Sequence, residues 1–261
     1  MTRRDAMKAL LLAAGYATRL YPLTLDKPKA LLPVGSKTII DRIVDQLERI
    51  RPITAIVVVT NNKFADRFRQ WRDGRGASVP ISIVDDGTAS DADKLGAIGD
   101  IRLAVERAGI DDDLLVIAGD NVFTFDLGRY VDYFYRVERD CIVVRTVDRL
   151  EELKRVGVVE LNGDGRVVSF EEKPANPRSN VGAFALYAYR RDTIPLFADY
   201  LSEGNDPDAP GHFPAWLCRR KDVRAYFADG AVYDVGTPEA YEEARRAFGP
   251  GDEQLDRRSE D

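Results

Sequence analysis

Histidine is nearly missing from this chain: among 261 residues there is only His212. A three-histidine zinc site is therefore excluded, and any Ser-His-Asp triad would have to use that one residue. Cysteine is almost as scarce, with Cys141 and Cys218 each set among apolar neighbours. Two thiols cannot build a zinc ribbon, and their setting reads as reduced, buried cysteines of a cytosolic protein. No apolar run approaches the roughly 18 residues needed to span a bilayer. The opening Met1-Thr2-Arg3-Arg4-Asp5 lacks the apolar region and cleavage site of a secretory leader. The expected location is the cytoplasm, with no membrane partner. An excess of positive charge is missing too, since 38 basic against 44 acidic residues leave a net charge of −6. That argues against nucleic acid held by a general basic field, and leaves room for a local basic pocket.

What is present is ordinary for a folded chain: 44% hydrophobic and 31% charged residues. Strand and helix signals alternate. Lys8 to Ala13 and Ile53 to Thr60 are short apolar runs of the kind found in buried strands, as are Val79 to Val84 and Leu114 to Ala118. Between them, Thr38 to Ile50, Phe64 to Trp71 and Leu95 to Ala108 have helical spacing. Helices between apolar strands predict an α/β fold, a Rossmann-like three-layer sandwich around a mostly parallel sheet. In the second half, Val156 to Leu161 and Arg166 to Glu171 flank Asn162-Gly163-Asp164-Gly165, which predicts a hairpin. Cys141 to Val147, Val181 to Tyr189 and Val223 to Ala228 are further strands, with helices over Phe213 to Arg219 and Pro238 to Ala247. One domain over residues 1–248 is expected, with lobes at about 1–125 and 126–248. A frayed, disordered tail is expected over 249–261.

The loop after the first strand carries the chemistry. It runs Leu12-Ala13-Ala14-Gly15-Tyr16-Ala17-Thr18-Arg19, and later reaches Lys27-Pro28-Lys29. Small residues at the carboxyl edge of a strand let a ligand approach backbone N–H groups, and Arg19 and Lys29 add fixed positive charge. An anion site follows, although a plain loop with solvated basic side chains fits the same composition. Two phosphate loops fail: Ala17 and Leu20 stand where a dinucleotide fingerprint needs glycines, and no Walker A glycines precede Lys37-Thr38.

With its spacing, LAAGYATRLYPLT followed by PKALLPV resembles the opening signature of the nucleoside-diphosphate-sugar pyrophosphorylases, the sugar-1-phosphate nucleotidyltransferases. The resemblance continues at Ala118-Gly119-Asp120-Asn121-Val122-Phe123, Gly157-Val158-Val159-Glu160, Phe170-Glu171-Glu172-Lys173-Pro174 and Tyr233-Asp234-Val235-Gly236-Thr237. One departure is Ala17 in place of the family's second glycine, which narrows the conformations open to the loop. The family's fold has a smaller sugar-binding lobe beside the nucleotide lobe. Its reaction joins a nucleoside triphosphate and a sugar 1-phosphate into a nucleotide sugar, releasing pyrophosphate.

The resemblance implies roles residue by residue. Arg19 is the clamp on the β- and γ-phosphates, and Lys29 the charge beside the α-phosphate. Leu12, Ala13, Ala14 and Gly15 hold the nucleotide. Asp120 and Asp234 hold Mg²⁺. Lys173 binds the sugar phosphate, Glu172 accepts from sugar hydroxyls and Gly157 faces the ring. The base is open. At the end of the third strand the chain has Asp85-Asp86 where pyrimidine-using relatives carry glutamine. A carboxylate there, at Asp86, accepts hydrogen bonds only, which favours guanine or cytosine. Family size and chain length favour a thymidylyltransferase instead, acting on a hexose 1-phosphate with dTTP. A cyclitol phosphate, a phosphonate or a non-catalytic, sugar-nucleotide-sensing role are the alternatives. His212 is assigned to structure, with sugar contact as the second option. Dimers and tetramers are usual in families of this kind, so a homo-oligomer is compatible with the resemblance. No hexapeptide repeats follow the core, so a second, acyltransferase activity is not expected.

Overall fold

The computed structural model describes residues 6–249. Met1–Asp5 and, from residue 250, the expected tail lie outside the described residues. The first half runs β1 (Met7–Leu12), two short ribbon strands β2 (Pro33–Val34) and β3 (Lys37–Thr38), α1 (Ile39–Leu47), β4 (Ile53–Thr60), α2 (Ala65–Arg75), β5 (Ile81–Asp85), α3 (Ala97–Ala108), β6 (Asp113–Ala118) and β7 (Asn121–Phe123). It continues with α4 (Leu127–Val137), β8 (Asp140–Thr146), α5 (Leu150–Leu153), β9 (Gly157–Leu161), β10 (Val167–Glu172), β11 (Val181–Tyr189), α6 (Leu196–Ser202), α7 (His212–Leu217), β12 (Val223–Phe227), β13 (Val232–Asp234) and α8 (Pro238–Ala247).

The strands build a mostly parallel central sheet flanked by helices on both faces. Its parallel heart is β6-β1-β4-β5. Alternate residues feed two cores. Ala9 and Leu11 of β1, Ile56 and Val58 of β4, and Leu115 and Ile117 of β6 point to one face. There they meet Ile40, Ile43 and Leu47 of α1 and Tyr130 and Phe134 of α4. Leu10, Val57, Val59, Leu114 and Val116 point to the other face, against Ile98 and Ile101 of α3 and Phe197, Phe213 and Leu217 of α6 and α7. This alternation, buried on both sides, makes the three layers, and each fully buried Leu or Ile contributes roughly 1.5–3 kcal/mol.

Local chemistry sets the helix boundaries. Thr38 caps α1, accepting the Asp41 N–H while Asp41 reaches back to the Thr38 N–H, so the helix starts one residue after the predicted Thr38. Gly96, at φ +77°, delays α3 from the predicted Leu95 to Ala97. Thr237 caps α8, with Pro238 in its first turn. Helices α4 and α6 are additions to the sequence reading. For α4 the signal is present: Asp126 caps it, and Leu127, Tyr130, Val131 and Phe134 form its buried face at helical spacing.

Strand β11 positions the site. Leu186–Tyr189 pair antiparallel with β6, whereas Gly182 and Ala183 pair with β9. The carboxyl end of β6 and the start of the β9–β10 hairpin therefore face each other along one strand. The predicted hairpin forms, with Gly157 opposite Glu172. Separately, β13 pairs with β7 and sets Asp234 opposite Asn121.

Candidate active site

Leu12, Asp86 and Asp120 stand at or just past the carboxyl ends of the parallel strands β1, β5 and β6, and Ala13, Ala14, Gly15, Arg19 and Lys29 lie in the loop that follows β1. Leu12 ends β1, and its carbonyl accepts the Gly119 N–H at 2.8 Å. A Cβ at Gly119 would stand 2.8 Å from that same oxygen, so the close approach of β6 to β1 requires glycine. Asp120 follows directly and so lies beside the opening loop. Its carboxylate accepts a hydrogen bond from Lys29 Nζ at 2.5 Å, across 91 residues of sequence. The Asp120 carbonyl accepts the Val235 N–H at 3.1 Å, which joins the Asp234 segment to it.

Asp234 meets solvent directly, yet protein surrounds it as at the floor of an open cleft. That enclosure, followed by the neighbouring Asp120, raises its carboxyl above the ordinary range, and Lys29, Lys173 and Arg19 pull the other way. Two acidic and three basic side chains from four separate stretches of sequence thus act on one another at a single point. Arg19 is exposed there, as is Lys173, which adopts φ +48°, a backbone region unusual for a lysine.

The opening loop is open to an anion. Ala13 donates its N–H to Val59 O, so that group is occupied. Gly15, Tyr16 and Ala17 donate no backbone hydrogen bond among the described residues. Ala17 does not narrow the loop as expected: it takes the left-handed conformation, φ +50°, that a glycine would adopt. Its carbonyl is held by Thr24 Oγ1 at 2.8 Å, and such a conformation costs alanine on the order of 1 kcal/mol. Asn61, fully buried, donates to Ala14 O at 2.7 Å and accepts the Phe64 N–H. Thr24 and Asn61 shape the loop and are not singled out by the sequence reading. A buried asparagine just after a β-branched strand is the available signal.

Glu172 sits on β10 against Gly157 and Gly211. Burial raises its carboxyl, opposed by Lys173 and His212, and Lys173 Nζ lies 3.7 Å away. Asp86 belongs to a second acidic pair. One of its oxygens accepts the Thr88 N–H at 2.7 Å, as a turn aspartate does. Its charge also acts on Asp100 of α3. Asp100 is buried, and its Oδ1 has no hydrogen-bond partner. Burial, then the Asp86 charge, pushes the Asp100 carboxyl up to about 7. No cation is among the causes acting on it. Tyr16 and Thr88 share a hydrogen bond of 3.1 Å beside this pair. Among the described residues no group of three or more His, Cys, Asp or Glu is arranged to hold a metal. No helix among them is long and apolar enough to cross a membrane. A cavity lined by Pro22, Leu23, Asp26, Lys27, Pro28, Leu31 and Arg67 contains none of the converging charges.

Residues 8–249 match the family described as Nucleotidyl transferase. A UTP–glucose-1-phosphate uridylyltransferase of Haloferax volcanii is 31% identical over 245 residues, covering 92% of this chain and 96% of that protein. A glucose-1-phosphate adenylyltransferase of Thermotoga maritima is 27% identical over 254 residues, covering 90% of this chain and 59% of its own length. Two further curated relatives are spanned over 61% and 52% of their lengths. Among solved structures, one named for a glucose-1-phosphate thymidylyltransferase of Bacillus anthracis superposes with a TM-score of 0.78 at 27% identity. It covers 93% of this chain and 95% of its own.

Proposed function

This chain belongs to the nucleotidyl transferase family, and on that premise we propose that it is a sugar-1-phosphate nucleotidyltransferase. It joins a nucleoside triphosphate to a sugar 1-phosphate by attack on the α-phosphorus, with pyrophosphate leaving opposite. The observation that carries this reading is the convergence of Lys29, Asp120, Arg19, Lys173 and Asp234 at the ends of β1 and β6.

A phosphate monoester is already an anionic nucleophile, so a strong general base is not required. What is required is alignment and neutralisation of charge. Arg19, exposed on the opening loop, takes the β- and γ-phosphates through its planar fork. Lys29, held by Asp120, is placed for the α-phosphate. Lys173 receives the sugar phosphate, and Glu172, with the Gly157 backbone, takes the sugar. Leu12, Ala13, Ala14 and Gly15 line the nucleotide, chiefly through the undonated N–H groups from Gly15 onward.

Asp120 and Asp234 fit a Mg²⁺ ion. They are two carboxylates brought together by strand pairing, without further carboxylates in a cluster, and this cation takes one or two carboxylates plus phosphate oxygens. When bound, the ion supplies charge neutralisation on the triphosphate.

For the substrates, the reading is a hexose 1-phosphate with dTTP, in the cytoplasm where nucleoside triphosphates are held. The solved neighbour named for thymidylyl transfer supports it. The second reading is guanylyl transfer to a mannose-type substrate. It is favoured by the acidic end of β5 and by a Sulfolobus acidocaldarius relative, 28% identical, whose name is of the mannose-1-phosphate guanyltransferase kind. Pyrophosphate release with dTTP, UTP, GTP, CTP and ATP, each against glucose 1-phosphate and mannose 1-phosphate, tests both. Fastest turnover with dTTP is expected, preference for GTP selects the second reading, and no release from any pair overturns the activity itself.

A further inference from the structure

Glu172 is held in an unusual setting. It stands on β10 directly across the hairpin from Gly157, with α7 packed against the same strand. A Cβ added at Gly211 would collide with its Oε2, and one at Gly157 would lie 3.3 Å from the same atom. Two glycines therefore let the carboxylate fit between the hairpin and the start of α7. No hydrogen bond reaches it from any described residue within normal range, because Lys173 stops at 3.7 Å. A half-enclosed carboxylate with open acceptor positions is costly unless a donor arrives from outside the protein.

The next residue after Gly211 is His212, the chain's single histidine. Gly211 lies against the Glu172 carboxylate, so the histidine that follows it starts beside that group. The imidazole itself is unsatisfied. Its Nδ1 is buried without a hydrogen-bond partner, and the nearest acceptor, Asp206 Oδ2, is 3.6 Å away. His212 remains partly exposed, and its backbone is fixed by donation to Ala209 O at 3.2 Å. Among the described residues neither the partly exposed His212 ring nor the Glu172 carboxylate makes a hydrogen bond, so an acceptor and a side chain that can donate stand near each other with hydrogen-bonding capacity that the protein leaves unused.

We propose that His212 is a specificity-determining residue that works with Glu172 on a pair of neighbouring sugar hydroxyls. Glu172 accepts from one hydroxyl, and the imidazole exchanges a hydrogen bond with the next. The ligand class is a neutral polyol ring with both hydroxyls free, and a sugar phosphate deoxygenated at either position is discriminated against. This rests on the sugar-1-phosphate reading above, and moves His212 from the structural role expected from sequence to substrate contact.

The test measures KM for both substrates, by pyrophosphate release, in wild type, His212→Ala and the near-isosteric His212→Asn. Monodeoxy analogues of the preferred hexose 1-phosphate are included. Loss of one such hydrogen bond should raise KM for the sugar phosphate in His212→Ala about tenfold, with His212→Asn intermediate. KM for the nucleotide should stay within about twofold, because the bond is made to the sugar alone. The alanine variant should also lose the penalty against one deoxy analogue. Thermal unfolding of each variant guards against misfolding, and if the alanine variant does not fold, His212→Asn carries the test. An unchanged sugar KM and unchanged deoxy discrimination in a folded variant overturn the proposal while leaving the activity intact. A wild type that turns over no sugar phosphate overturns the activity and this proposal together.

Discussion

Two pairs of aspartates lie near the carboxyl ends of the parallel strands, and they solve the same electrostatic problem differently. Asp120 and Asp234 are surrounded by Lys29, Lys173 and Arg19. Asp86 and Asp100 have no cation acting on the buried member, and burial with the Asp86 charge pushes the Asp100 carboxyl up to about 7. The first pair is balanced by cations, one of them bonded directly to Asp120. The second is left to take up a proton nearer neutral pH than an exposed carboxyl does. Two carboxylates in proximity therefore carry different chemistry depending on what neutralises them.

The contrast is broken most strongly at the cationic pair. Lys29→Ala and Asp120→Asn should each lower turnover by roughly 10²–10⁴, the first by removing a positive charge proposed for the reacting phosphate, the second by removing the carboxylate that holds Lys29 and is proposed to hold the cation. Asp100→Asn should change turnover by less than about tenfold, with its effect falling on KM for the nucleotide. Steady-state pyrophosphate release checks both, and equal losses at the two pairs would abolish the distinction.

The next effect is on stability against pH. The folded carboxyl of Asp100 is raised to about 7, against an unfolded value of about 3.9. Between those values the folded chain binds more protons than the unfolded one, so this residue's contribution falls as pH rises from about 4 to about 7. Asp100→Asn removes that dependence. The variant should unfold a few degrees above the wild type at pH 8, with the gap closing toward pH 5, as read from Tm across the range. A gap that widens toward low pH would contradict the raised Asp100 carboxyl.

The smallest effect belongs to the loop between the two pairs. Ala17→Gly relieves a left-handed alanine and should stabilise the fold by up to about 1 kcal/mol, roughly 2 °C in Tm. Thermal unfolding measures it, and a lower Tm would mean that the added freedom of the unfolded chain outweighs the strain.

Much of the fold and of the site is legible in the order of residues alone. Continuous β-branched runs bounded by turn residues form buried strands, so β1, β4, β6 and β11 fall within a residue or two of their apolar runs. The opening loop stands out through Gly15, Arg19 and Lys29 at fixed spacing. The glutamate-lysine run after a hairpin is equally plain. Helix α4 is legible too, from the Asp126 cap and the Leu127, Tyr130, Val131 and Phe134 stripe, but is absent from the sequence reading. Asp100 escapes because a lone aspartate on a helix gives no sign that its neighbour in space lies on another element.

The sequence by itself determined the layers of the sheet, the opening loop and the identities of the charges, because periodicity and turn chemistry act over a few residues. Only the tertiary structure decided which charges meet: Lys29 with Asp120 across 91 positions, Asp234 beside both, Asp86 with Asp100, and Glu172 with His212. Those encounters depend on β11 pairing with both β6 and β9 and on Gly119 letting two strand ends touch. Long-range register of that kind is fixed by burial of the whole sheet, and no local stretch of residues contains it.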